Sequence, residues 1–231
     1  MSSTKTIPAI RDSAQARLLL YRLISLKLAD AEQKLFQANF SQWEQLIALL
    51  ENLIENSKQA KTDEMVLRNA FSQIERTAKE GLHKQIERLT GQSFWLGVFP
   101  SGLLESFVDE HQRLIKSVQR DQLDKIALAI KRGIREGRLV KDIAIDIRNV
   151  TDISKHRARL IARNAPLQYS GVLAKHYQTS ANITQYRWQT SHDERVRESH
   201  RKLDGKVFNW NDPAPYPRSE VNCRCDAIPM V

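Results

Sequence analysis

Two thiols separated by one residue, Cys223 and Cys225 in NCRCDAIPMV, are the only cysteines of this 231-residue chain. A disulfide between them would close a very short, strained loop, so the spacing points to a job shared by both side chains. Ahead of them, in SHDERVRESHRKLDGKVF, stand His192, Asp193, His200 and Asp204. Imidazole and thiolate are donor types of a four-coordinate zinc site, which makes His200, Cys223, Cys225 and His192 the candidate ligands of one structural zinc ion. The spacing matches no zinc-finger pattern, and a metal-free set of core or hydrogen-bonding groups uses the same residues. A second chemistry is also open. His192, Asp193, Arg195, Arg197 and His200 in one loop have the types to cleave phosphodiesters, His as acid or base and Arg against the developing charge. No paired carboxylates at two-metal spacing accompany them.

Charge gives a second lead. Residues 1–110 carry 13 Lys and Arg against 14 Asp and Glu, and residues 111–231 carry 23 against 13, so the net +9 sits wholly in the second half. A polyanionic partner, nucleic acid or an acidic protein surface, is the functional reading, and a basic solvated surface is the other. His156, Arg157, Arg159 and Arg163 fall on one helical segment. With Lys131 and Arg132 these arginines are the candidate DNA contacts, with Arg157 and Arg163 alternatively packed on acids of the fold. No helix-turn-helix or zinc-finger reader stands out, so phosphate contact without sequence reading is expected. No apolar run reaches membrane-spanning length, and Arg11, Arg17 and Arg22 interrupt the apolar start. The chain reads as soluble and unexported, with reduced thiols.

The elements that must position these groups are mostly helical. Residues 16–59 keep apolar spacing of three and four through Leu19, Leu23 and Leu26, then Trp43, Leu46, Ile47, Leu50 and Ile54. Ser41 and Glu44 form a capping box that starts a new helix, and Thr62 opens another. TGQSFWLGVFPSGLL, rich in Gly and Pro, marks a loop whose apolar cluster either seals a joint or meets a partner. A boundary is placed near residue 110, separating an N-terminal helical module, 1–110, from a domain at 111–231. Short helices follow: Leu123, Ile126, Ala127, Ile130 and Ile134 form a stripe that Gly137 stops. VKDIAIDIRNVT makes a short helix, Ser154 caps the next, and Pro166 kinks or splits it. After Ala181 the period changes to two: ITQYRWQT and GKVFNW read as strands and CRCDAIPMV as a third. The expected fold class is α+β, a helical scaffold closed by a small C-terminal sheet.

IARNA at 161–165, YRWQTSHDERVRESHRKLDGKVF at 186–208 and NCRC at 222–225 resemble the phage head morphogenesis family, the phage Mu F-like minor head proteins. The resemblance covers roughly residues 105–231 and rests on Trp188, Asp193, Arg195, Arg197, His200, Asp204, Gly205, Asn222 and Arg224 in their motif places. It departs at Asn164 and Ala165, where the family has a threonine and a glutamate. Some members place C-x-x-C in the loop that here has Arg197 and His200; arginine is no ligand, so a fourth ligand would be His192, Asp193, Glu220 or water. The resemblance implies a low-copy, non-catalytic virion-head component, assembled in the host cytoplasm, at the portal vertex. Its implied partners are portal protein, other head proteins and DNA.

Overall fold

The computed structural model describes residues 14–37, 62–93, 95–213 and 215–230. Helix α1, Ala14–Gln37, is followed by α2, Thr62–Thr90, which begins at the expected threonine. The helix expected from Ser41 and Glu44 lies outside the described residues. In α1 the buried stripe is Leu20, Ile24 and Leu28, while Leu19 and Leu26 are exposed. That corrects the expected phase: in a leucine-rich helix both sets satisfy the same spacing, and only packing chooses between them.

Helix α3, Ser101–Arg135, starts directly after Pro100 and runs unbroken through residue 110. A boundary near residue 110 followed by short helices was expected here. One helix forms because no Gly or Pro lies between residues 103 and 132, and Val108, Ile115, Val118, Leu123, Ile126 and Ile130 keep a single buried stripe. Its end is as expected. Arg138 N–H donates to Gly133 O at 2.9 Å and Gly137 N–H to Ile134 O at 3.1 Å, a Schellman closure. Helix α4, Val140–Ser180, is likewise one helix with Pro166 inside it, where the sequence suggested a break. Ser154 does not cap: its Oγ donates to Val150 O at 3.0 Å, one turn back along the helix.

Three strands follow. β1, Gln185–Gln189, is central, with β2, Val207–Asn209, and β3, Asp226–Pro229, antiparallel on its two sides. Tyr186 pairs with Phe208 and Pro229, and Trp188 with Ala227. Tyr186 and Trp188 are buried while Arg187 and Gln189 are half-buried, the alternation of a strand with one face covered. Between β1 and β2 lies the four-residue helix α5, Glu198–Arg201. The expected α+β class is the observed one.

The chain groups into two compact units. The first draws on Arg68–Phe107 and Arg163–Val231, the second on the described parts of Leu18–Leu67 and on Val108–Ala162. In the first, Phe71, Phe99 and Phe107 surround Tyr169, with ring centroids 4.9, 5.7 and 4.8 Å away. Leu96 and Phe99 of the Gly-rich stretch are buried, whereas Trp95 and Val98 are exposed by 77% and 75%. That stretch both seals and protrudes. In the second unit Leu123, Ile126 and Ile130 form one buried row, with Ile143 and Ile147 buried on the first turns of α4.

Candidate functional site

The small sheet holds its connections through polar joints made by the motif residues. Thr190 directly follows β1, and both its N–H and its Oγ donate to Asp204 Oδ1, at 2.7 and 3.0 Å, closing the base of the loop. Gly205 then turns into β2 with φ 75°, a left-handed conformation that favours glycine, and its N–H reaches Trp188 O at 2.8 Å. Asp193 accepts from Arg224 at 2.6 Å and from the Arg195 N–H at 3.0 Å. The Arg224 guanidinium holds the Asp193 carboxyl below the usual range. Arg197 donates to Glu220 at 2.6 Å and to Val221 O. Asn222, with φ 60°, donates its N–H to Asn164 Oδ1 at 2.8 Å and accepts from Arg163 at 3.1 Å. Asn164, a departure from the family pattern, therefore anchors the NCRC turn.

Cys223 and Cys225 sit just before β3, and side chains two apart on extended chain fall on one face. Both are 2–3% exposed, in a cluster with Tyr186, Trp188 and Trp210. His200, 5% exposed on α5, brings Nδ1 to 3.7 Å from Cys223 Sγ and 3.5 Å from Cys225 Sγ. Its other nitrogen, Nε2, lies 3.0 Å from Glu220 Oε2. A carboxylate only accepts, so Nε2 donates to it, and in the neutral imidazole Nδ1 then turns a lone pair toward the sulfurs. A hydrogen bond from Cys225, with backbone donors at Cys225 and Arg218, pushes the Cys223 thiol below its usual range against its burial. The same shared proton and burial push Cys225 up.

His200, Cys223 and Cys225 are thus brought together, all three donor atoms within 4.8 Å of one another. His192 is not with them. Its side chain is 62% exposed, with Nδ1 3.3 Å from Thr190 Oγ1 and 3.6 Å from Asp204, and it lines a different cleft from His200. That separation removes it from the ligand set. The cleft beside the cysteines holds about 310 Å³ and is lined by Arg163, Arg195, Arg197 and Arg224 as well as the three donors.

Two residues that the sequence did not single out hold the tail. Arg218, 6% exposed, donates its backbone N–H to Cys223 Sγ, its guanidinium to Cys225 O and Ser170 Oγ, and pairs with Asp226 at 2.6 Å. Gly171 lets α4 approach this segment: a Cβ there would lie 2.9 Å from Arg218 Cβ and 3.0 Å from Pro217 O. Gln178, fully buried on α4, donates to Ala227 O at 2.9 Å and accepts from Trp210 Nε1 at 3.0 Å.

The candidate DNA contacts divide. Arg157 pairs with Asp121 and donates to Ser117, so its charge is met within the fold. Arg159 bonds the Tyr21 phenol and holds its pKa down. Arg163 is exposed but engaged with Asn222, while Lys131 and Arg132 lie exposed near the end of α3. Among the described residues no helix is long and apolar enough to cross a membrane.

Residues 124–228 match the family model of Phage Mu protein F like protein. The chain is 35% identical to an uncharacterized protein of Haemophilus influenzae over 122 residues, covering 52% of this chain and 27% of that protein. It is 27% identical to the minor head protein GP7 of Bacillus phage SPP1 over 168 residues, covering 63% of this chain and 54% of that one. The matches thus span about a quarter and about half of these relatives. No solved structure matches the chain at a significant level.

Proposed function

We propose, from the match of residues 124–228 to the family model of Phage Mu protein F like protein, that this chain is a minor head protein with a structural, non-catalytic part in head morphogenesis. It resides in the virion head, at the portal vertex and beside packaged DNA. The observation that carries the reading is the fate of the motif. Asp193, Arg197, Asp204, Gly205, Asn222 and Arg224 are each taken up in joints that close the small sheet and its connections. A motif that spends its charged groups on one another specifies a shape to be presented to neighbours. The SPP1 relative is named for the head.

DNA enters through charge. The excess of Lys and Arg after residue 110 favours phosphate contact without base reading, and Lys131 and Arg132 are among its exposed carriers. Filter retention of duplex DNA by the full chain should fall steeply with salt. Lys131→Ala with Arg132→Ala should lower the slope of log K against log salt by roughly 2, since each phosphate contact contributes about 0.9. Arg157→Ala, whose partner is Asp121, should leave the slope unchanged. Retention indifferent to salt removes the DNA role, and DNA hydrolysis with divalent metal that His200→Ala abolishes removes the non-catalytic one.

A further inference from the structure

Beyond the role in the head, we infer that His200 Nδ1 and the sulfurs of Cys223 and Cys225 bind one zinc ion, whose fourth ligand enters from the arginine-lined cleft. The geometry comes first. Tetrahedral zinc, with Zn–N and Zn–S bonds of about 2.0 and 2.3 Å, sets nitrogen and sulfur donors about 3.6 Å apart. The two distances here are 3.5 and 3.7 Å. Glu220 supplies the outer support such a site uses, accepting from Nε2 and fixing Nδ1 as the free lone pair. Trp188 adds a second sign: its Nε1 is buried without a hydrogen-bond partner, in the cluster that holds both cysteines. A metal-held thiolate is the acceptor that buried N–H calls for. The three-stranded sheet it would fasten is small and its connections are polar, and a metal clip adds binding free energy where little area is available.

Three protein donors leave one position of a tetrahedron. Among the described residues no other His, Cys, Asp or Glu joins the group, and Glu220 is committed to the far side of the imidazole and to Arg197. The three donors line the cleft together with Arg163, Arg195, Arg197 and Arg224. Two thiolates balance the ion, while Glu220 and Asp193 balance Arg197 and Arg224. The charge of Arg163 and Arg195 then selects an oxyanion for the open position.

The test uses full-length protein purified without a histidine tag, equilibrated with zinc and dialysed. About one zinc per chain is expected, in line with the tight binding of structural sites. The cobalt-substituted protein should show a thiolate-to-metal charge-transfer band and strong visible bands of a tetrahedral ion, and inorganic phosphate should shift the visible bands. Glu220→Gln should weaken zinc about 10- to 100-fold with the fold kept, and Cys225→Ser should lose it. Zinc below roughly a tenth of an equivalent, or no charge-transfer band, overturns the site. Visible bands that phosphate leaves unmoved overturn the external fourth ligand. If Cys225→Ser does not fold, Glu220→Gln decides: unchanged zinc affinity contradicts the proposed ligation.

Discussion

At the scale of single residues, the tail depends on Arg218 as much as on the cysteines. Its guanidinium ties Ser170 of α4 to Cys225 and Asp226, and its backbone N–H meets Cys223. Arg218→Ala leaves Asp226, on a strand edge, without that partner. Breaking a buried pair in this way costs about 3–5 kcal/mol, and equilibrium urea unfolding should show a loss of that order. A loss under about 1 kcal/mol, typical of exposed pairs, would mean the tail is held elsewhere. Lysine at 218 should not rescue it, because a point charge cannot replace a fork that serves several acceptors. The meeting of His200 with Cys223 and Cys225 was legible, since rare residue types at close spacing announce a shared task. Arg218 was not: in PYPRSE nothing distinguishes it, and its importance comes only from the distant segments that converge on it. His192 misled for the same reason. Residue type suggested a ligand, but only the folded loop shows it turned toward Thr190 and Asp204.

At the scale of elements, periodicity identified the four long helices and all three strands, but neither the four-residue α5, which falls in a stretch that reads as loop, nor where the helices break. Ser154 has the type of a cap and Pro166 the type of a breaker, yet both lie within α4. The serine can satisfy its hydroxyl one turn back, and a buried row from Ile143 and Ile147 to Leu173 and Tyr177 continues on both sides of the proline. Tertiary burial outweighs local signals of about 1 kcal/mol for a cap. Residue 110 similarly falls inside α3, and residues 68–107 group with 163–231. Chymotrypsin should therefore cut first at exposed Trp95, while the fragments stay together through Phe71, Phe99 and Tyr169. They should elute as one species in native size exclusion and separate in denaturant. A fragment of residues 96–231 that survives alone would instead make residues 1–110 a separable module.

At the scale of the whole molecule, the half with the recognisable motif is also the half with the excess positive charge. The family match covers 124–228, and its terminal part closes a sheet whose joints consume the motif's polar groups. Composition could reveal the asymmetry but not which arginines face outward: Arg157 is spent on Asp121, whereas Lys131 and Arg132 are exposed. As a minor head protein, the function proposed above, this chain would be built into the phage head, and quantitative mass spectrometry of gradient-purified heads from a phage or prophage that encodes it tests that placement. The chain is expected in DNA-filled heads, in low copy relative to the major capsid protein and in constant ratio to the portal protein. Its absence from heads, with the protein found only in the soluble fraction of the lysate, would overturn the head role.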